Sequence, residues 1–507
     1  MSHTDTYASQ KPLPGTDRLL RGIRGALARI STRLSDDHTR SELGAIDTIL
    51  GELLLRRDAP AQAQHYASLR LLAEEGLALL RDRLQAGSGE AVLGILSVMP
   101  EALDPTLDYE VNAIHINRIL YCLEVLVDAA RGDVPATIQQ FTSRVLATEN
   151  AYQAMRIACA APVAIVQPAY TVFTRDSMQT YLRAKFPERQ GLRVPHFRQL
   201  VSGYQKITAL FEIEDDSGRR DSLVLRAEKD DRFLTLDAGN VVDEYAIVKI
   251  AHDAGIPVAE PMWLEDDASR LGYRFFVSRR VEGENHGSAI GADKPIGDTL
   301  ARSFIQTMGC IHQMPVSEAI RHSALGRWLN FASLEENTRA NVLYWKDQTW
   351  MRQANPSPLY TRLATWLLDN VPRDDDTPRF THGDFGPHNV LAHDGKVSGV
   401  LDWESAHIGD QAEDIAWFLQ SCAGKISAAQ ALDWYEEFTG WRIHEYRLRY
   451  FDVFNCLKVL TGAMSACPMF ETLENASIEW CNIPLRWAPF SAAQVEGLIS
   501  AAEAVKP

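Results

Sequence analysis

The sequence predicts an α+β protein in which an all-α region precedes a small β-rich lobe and a larger helical lobe. Three observations carry this. From Arg18 to about Ala160, apolar residues recur at three- and four-residue steps, the period of amphipathic helices. From Phe197 the pattern changes to short alternating runs, two of them joined by DDSGRR, a hairpin turn signal. Beyond Gly283 helical runs return, interrupted at residues 381–418 by THGDFGPHNVLAHDGKVSGVLDWESAHIGDQAEDIAWF, a glycine-rich loop followed by an apolar strand.

The first region, residues 1–160, opens with a polar tail. Leu19, Leu20, Ile23, Leu27 and Ile30 then mark one face of a helix. Further helical stretches fall near 40–56, 60–86, 88–99, 108–131 and 136–159, punctuated by Gly87-Ser88-Gly89, Pro100 to Pro105 and Gly132 to Pro135. No titratable cluster stands out there. Such a bundle can present a face to a protein partner or a second copy of the chain, or act as an accessory lid, and the sequence leaves these open.

Residues 161–195 read as a linker, with one helix from Ser177 to Phe186 set among prolines and glycines. Residues 196–282 form the small lobe. Strands are expected at Arg198–Ser202, Ile207–Glu214, Ser222–Glu228, Pro257–Trp263 and Tyr273–Val281, with a helix at Val241–Ala254 that stops at Gly255. Residues 283–507 form the large lobe: a helix from Thr299 to Gln313 capped by Asp298, a helical and aromatic region at 320–372, the 381–418 stretch, and closing helices from Ser427.

Length and composition bound the rest. A chain of 507 residues suggests about three units at ~150 residues each. Its formal net charge of −16 argues against binding to nucleic acid or an anionic membrane surface. Seven scattered cysteines without C-x-x-C spacing read as thiols in a reducing compartment. The opening MSHTDTYASQKPLPG lacks the apolar core of a secretory signal, and no apolar run approaches the ~18 residues of a membrane span, so the expected location is cytoplasmic.

The chemistry concentrates in the 381–418 stretch. Asp384 is followed five residues later by the amide of Asn389, and the apolar segment Val397 to Leu401 delivers a second carboxylate, Asp402. Asp384 can accept or orient the proton of an attacking hydroxyl. Asn389 and Asp402 offer oxygen ligands to Mg²⁺, a hard cation that takes few protein ligands and shares the phosphates. Gly383 and Gly386 suit a tight loop with unusual φ, and Pro387 stiffens it.

HGD-x₄-N followed by an apolar strand and D-W-E resembles the catalytic and metal-binding loops of the aminoglycoside phosphotransferase and choline kinase group, a branch of the protein-kinase-like fold. The continuation GVLDWESAHIGDQAEDIAWF is most similar to kinase domains fused to some acyl-CoA dehydrogenases. The resemblance implies a two-lobed protein-kinase-like fold that uses ATP and Mg²⁺. It implies that the turn at Ser202-Gly203 lies over the triphosphate, and that Arg226 in SLVLRAEK sits where such lobes place a phosphate-binding lysine, with Lys229 as the alternative cation. Glu244 falls where the fold's helix supplies a carboxylate to that cation, and Ser278 to Val281 would be the linker that pairs with the adenine edge. Asp414 would start a helix and brace the catalytic loop. The chain departs from better-known kinases in its arginine and in its single turn glycine, although arginine binds phosphate in a bidentate manner.

The activity expected is transfer of the γ-phosphate to a hydroxyl of a small molecule, with a hydroxyacyl-CoA or related metabolic alcohol favoured by the subgroup resemblance. The alternatives are an aminoglycoside or other antibiotic as acceptor, and a nucleotide-binding scaffold that acts through residues 1–160. A metal-dependent hydrolase built on His382 and Asp384 lacks a second histidine pair with ligand spacing.

Overall fold

A computed structural model of the chain describes residues 46, 49, 52–53, 59–85, 87–104, 109–159, 172–200, 206–228, 234, 236–288, 291–292, 294–351, 357–373, 376–422, 424–466, 485 and 487–507. The first helices are α1 (Ala59–Leu80), α2 (Ser88–Val98), α3 (Tyr109–Ala129), α4 (Ala136–Cys159) and α5 (Arg175–Lys185). The sheet region follows with β1 (Phe197–Gln199), β2 (Lys206–Glu214), β3 (Arg220–Glu228), α6 (Val241–Asp253), β4 (Pro261–Glu265) and β5 (Phe275–Arg279). Short strands β6 (Glu284–Asn285), β7 (Gly287–Ser288) and β8 (Gly291–Ala292) lead to α7 (Asp298–His312), α8 (Glu318–Arg321), α9 (Leu334–Met351) and α10 (Pro358–Asp369). Then come β9 (Arg379–Thr381), β10 (Val390–His393), β11 (Lys396–Val400), β12 (His407–Gly409) and the helices α11 (Ala412–Ser421), α12 (Ala428–Thr439), α13 (Glu445–Ser465), α14 (Ala488–Ala492) and α15 (Val495–Glu503). The class is α+β, as the sequence predicts. Among the described residues no helix is long and apolar enough to cross a membrane.

The chain divides into two compact units, one taking residues 1–168, 342–371 and 456–506, the other residues 169–341, 372–455 and 507. In the first unit, α1 to α4 bury Tyr66, Leu69, Leu123, Leu126 and Phe141 in one core. The Tyr66 hydroxyl reaches that core's rim and donates to the Pro100 carbonyl at 2.6 Å. The segment holding α10 was expected within residues 283–507, yet it packs here, as does 456–506. Its apolar residues, Leu359, Leu363, Ala364, Trp366 and Leu367, are all buried. The Glu149 carboxylate of α4 accepts from Ser357 Oγ at 2.7 Å and from Leu359 N at 2.8 Å. A carboxyl oxygen at a helix N-terminus satisfies a free N–H there, and burial raises the Glu149 pKa to about 7 despite these bonds. Thr361 Oγ1, one turn on, donates to Glu124 of α3 at 2.7 Å. Burial alone was legible for this helix; its partner was not.

In the second unit, the five expected strands form one antiparallel sheet of order β1-β2-β3-β5-β4. The β2–β3 hairpin closes at DDSGRR: Asp215 Oδ1 accepts from Ser217 N at 3.1 Å and Arg219 N at 3.2 Å, and Gly218 takes φ +82°. A side chain that bonds its own backbone two residues on makes such a turn. Alternation sorts the faces. Ile207, Ala209, Phe211, Leu223, Leu225, Phe275 and Val277 pack with Met178, Tyr181 and Leu182 of α5. That helix starts at Arg175 because Thr174 and Ser177 form a capping box. Helix α6 contacts β3, β4 and β5, and its first turn is capped by Asn240 Oδ1, which accepts from Val242 N and Asp243 N. Asp298 is the first residue of α7, whose N-cap is Gly297, so it does not cap from outside as expected.

Candidate active site

Strand β9 pairs antiparallel with β12, Thr381 opposite His407, and hands the chain to the loop at 382–389. The loop is held from below. Asp414, in the first turn of α11 and fully buried, accepts His382 N through Oδ2 and Gly383 N through Oδ1, both at 2.8 Å. His312 Nε2 of α7 approaches the same Oδ2 at 3.1 Å, and its Nδ1 lies 2.8 Å from the Tyr435 hydroxyl. These contacts outweigh burial and hold the Asp414 carboxyl down at about 2. The sequence expectation that Asp414 starts a helix and braces the loop matches this geometry.

Within the loop, His382 donates from Nε2 to the Leu401 carbonyl at 3.0 Å and accepts Asp384 N at Nδ1, 3.2 Å away. Burial keeps its pKa below the ordinary histidine value despite the aspartates around it. With both nitrogens engaged and the ring neutral, His382 is a scaffold rather than a metal ligand. Gly383 takes φ +75°, and a Cβ there would collide with the Ser405 carbonyl oxygen. Gly386 does not share the positive φ expected of it; its need is space, because the His388 ring lies where a Cβ would go. Gly383→Ala is therefore expected to cost roughly 2–3 kcal/mol of unfolding free energy in urea titration. A variant within ~0.5 kcal/mol of the parent would refute the strain argument.

Asp384 emerges from this support with its side chain about one-third exposed. Asn389 Nδ2 donates to Asp384 Oδ2 at 2.8 Å and to its carbonyl at 3.1 Å, while His388 Nε2 stands 3.2 Å from Oδ1. The Asp384 carboxylate holds His388 above its ordinary pKa, although burial opposes the charge. Leu401 N donates to the Asn389 carbonyl at 2.8 Å, and this ties the loop to the end of β11. Asp402 follows at φ +63°, ψ +69°, a left-handed conformation that a short polar side chain tolerates. Trp403 is buried beside the His382 ring at 4.7 Å.

The sheet brings its own charges to this place. Arg226 of β3 gives NH2 to Glu244 Oε1 of α6 at 3.0 Å and to Asp402 Oδ1 at 2.9 Å. The arginine and the α6 glutamate expected to pair do so, and the second metal-ligand candidate joins them. Three further expectations fare differently. Ser202, Gly203 and Lys229 lie outside the described residues. Ser278 lies inside β5, opposite Val224 of β3 and Pro261 of β4, so it belongs to the strand and not to a linker after it. Its hydrogen-bonding edges face neighbouring strands, which the sequence run Tyr273–Val281 did not resolve.

One buried cation was missed. Lys206, at the start of β2, sits with Nζ 2.9 Å from Glu404 Oε2 and 3.7 Å from Glu244 Oε2 and donates to the Gly239 carbonyl. Strand alternation puts residue 206 on the same face as 208, but a lysine opening a strand reads as solvated, so only the structure reveals its burial. Among the described residues no group of three or more His, Cys, Asp or Glu side chains could hold a metal ion.

This constellation lies in a stretch that matches known proteins. The model of the phosphotransferase enzyme family, APH, matches residues 205–449. The chain is 28% identical over 253 residues to acyl-CoA dehydrogenase family member 11 of Gallus gallus, an alignment covering 49% of this chain and 31% of that protein. It is 27% identical over 162 residues to an aminoglycoside 3'-phosphotransferase of Enterococcus faecalis, covering 31% and 58%. A solved macrolide 2'-phosphotransferase from Brachybacterium faecium is 22% identical, with a TM-score of 0.43, over 61% of this chain and 98% of that one. The matched stretch spans about a third of the length of the acyl-CoA dehydrogenase relatives. Over residues 205–449, just under half of its length, the chain is thus similar to the phosphotransferase enzyme family.

Proposed function

We propose that the chain is an ATP- and Mg²⁺-dependent phosphotransferase that moves the γ-phosphate of ATP to a hydroxyl of a small molecule. The observation that carries this is the meeting in one unit of two sets, Asp384 with Asn389 at 2.8 Å and Arg226 with Glu244 and Asp402 at 3.0 and 2.9 Å, tied through the bond from Leu401 N, next to Asp402, to the Asn389 carbonyl.

The residues fit the groups they would hold. Arg226 Nε is buried and has no hydrogen-bond partner, a donor left over for a phosphate oxygen. Asn389 commits its amide nitrogen to Asp384, so its oxygen is the atom it can offer a cation. One carboxylate, Asp402, with one amide oxygen suits Mg²⁺, which usually keeps waters and shares phosphates instead of taking a full protein cage. Bound Mg²⁺ would supply neutralisation of charge on the phosphate oxygens.

The chain's own groups then do the positioning. Asp384 Oδ1 or Oδ2 accepts the hydroxyl proton as the acceptor oxygen bonds to the γ-phosphorus and the bond to the β–γ bridging oxygen breaks. ADP leaves with that electron pair. Asn389 and His388 hold the Asp384 carboxylate in one orientation, and Asp414 fixes the backbone that carries it. Arg226 anchors the phosphates while Glu244 keeps its fork aimed. Catalysis of this kind is mainly orientation and charge neutralisation.

For the acceptor, a hydroxyacyl-CoA or related metabolic alcohol is favoured over an aminoglycoside. The relative named for acyl-CoA dehydrogenase aligns over more of this chain than the one named for aminoglycoside phosphorylation. ADP release with Mg-ATP, measured against hydroxyacyl-CoAs, amino alcohols, aminoglycosides and macrolides, tests this. Acceptor-dependent release that vanishes in Asp384→Asn is the expected result. Undiminished release in that variant would remove Asp384 from the mechanism, and Mg-ATP binding without release for any acceptor would favour a scaffold.

A further inference from the structure

Lys206 has no role in the reading above, yet few residues of the unit are so thoroughly committed. It is 2% exposed. On the β2–β3 ladder Lys206 stands opposite Glu228 and Thr208 opposite Arg226, so the lysine and arginine are diagonal neighbours on one face. An ammonium group has three donors. Two of them meet acceptors at hydrogen-bond distance, the Gly239 carbonyl just before α6 and Glu404 Oε2 at 2.9 Å, while Glu244 Oε2 faces the charge from 3.7 Å, farther than a hydrogen bond reaches. At this burial the ammonium is closed to a nucleotide. Arg226, by contrast, is more open, with its side chain 19% exposed, and holds Glu244 and Asp402. The two cations and three carboxylates therefore alternate: Glu404, Lys206, Glu244, Arg226, Asp402.

We propose that Lys206 is a positioning residue that holds Glu404 by a hydrogen bond and balances the charge of Glu244 from 3.7 Å, leaving the guanidinium of Arg226 divided between Glu244 and Asp402 and open to the triphosphate. The proposal rests on the ATP and Mg²⁺ reading of the site. Without the lysine, Glu404 would be a buried carboxylate with no cation of its own, and an uncompensated buried charge is costly. Arg226, the diagonal neighbour of Lys206, feels the Glu404 charge already. A fork drawn to Glu404 would be lost to Asp402 and to phosphate. The planar guanidinium can bridge two acids and still present a donor, whereas the compact ammonium is suited to being sealed among them.

The test is direct binding of Mg-ATP and of adenosine to the full chain by calorimetry, in the parent, Lys206→Met and the double variant Lys206→Met/Glu404→Gln. Lys206→Met is expected to weaken Mg-ATP by at least about tenfold while adenosine, which lacks the phosphates, changes by less than about twofold. The double variant removes the stranded charge together with its cation, so it should fold and bind Mg-ATP within about threefold of the parent. Unchanged Mg-ATP affinity in Lys206→Met overturns the proposal, as does an equal loss for adenosine. If the single variant does not fold, a double variant still weakened by more than about tenfold overturns it alone. A parent chain that binds no Mg-ATP overturns the nucleotide reading itself, and that outcome is visible before any variant is compared.

Discussion

Asp402→Ala is expected to lower turnover by about 10³-fold or more at saturating Mg-ATP, with the fold retained. The change removes the sole carboxylate assigned to the cation and half of what holds Arg226. The guanidinium would then swing to Glu244, its remaining partner 3.0 Å away. Because Asp402 is about one-third exposed and sits at a positive φ, alanine adds backbone strain of roughly 1–2 kcal/mol without opening a cavity. Steady-state kcat with thermal denaturation of the same preparation separates the two effects. Near-parent turnover in a folded variant would sink the metal assignment. An undamaged Mg-ATP affinity with lost turnover would instead place Asp402 in the reacting geometry alone.

The second large effect is on stability. Asp414→Ala should destabilise the second unit by roughly 3–5 kcal/mol, since it strands His312 and leaves two buried backbone N–H groups without an acceptor. Urea unfolding measures this, and a loss below ~1 kcal/mol would show that solvent replaces the carboxylate. The same residue sets a pH dependence. Its folded pKa of about 2 lies below the ordinary 3.8, so its stabilisation is complete above about pH 4 and disappears as pH falls toward 2. The parent should lose stability across that window, and an Asp414→Asn variant should lose less.

Much of this was readable from residues in order. The HGD-x₄-N loop and the D-W-E that follows are local, and local spacing survives into structure because the loop is short and tethered at both ends. The sheet was readable because alternation and a hairpin turn leave little freedom of register. What resisted was long-range. Lys206 and Glu404 are 198 residues apart, and nothing in either neighbourhood announces the other. Helix α10 shows burial through its leucines and tryptophan, but apolar residues do not say which core they join. Ser278 was misplaced by a few residues because strand ends are where pattern fades.

The seat of Asp414 beneath the loop has a consequence for motion. Two successive amides, His382 and Gly383, are pinned by one carboxylate that is itself pinned by an imidazole, whose other nitrogen meets a phenol. Their protons can reach solvent only when α7, α11 and the loop separate together, an opening on the scale of the whole unit. In deuterium exchange they should be among the last to be replaced, while the side-chain pair of Arg226 and Asp402 stands partly exposed to solvent. On the proposed function, the loop that carries Asp384 would stay still while the Arg226–Asp402 pair opens and closes, so product escape would be governed from the sheet side.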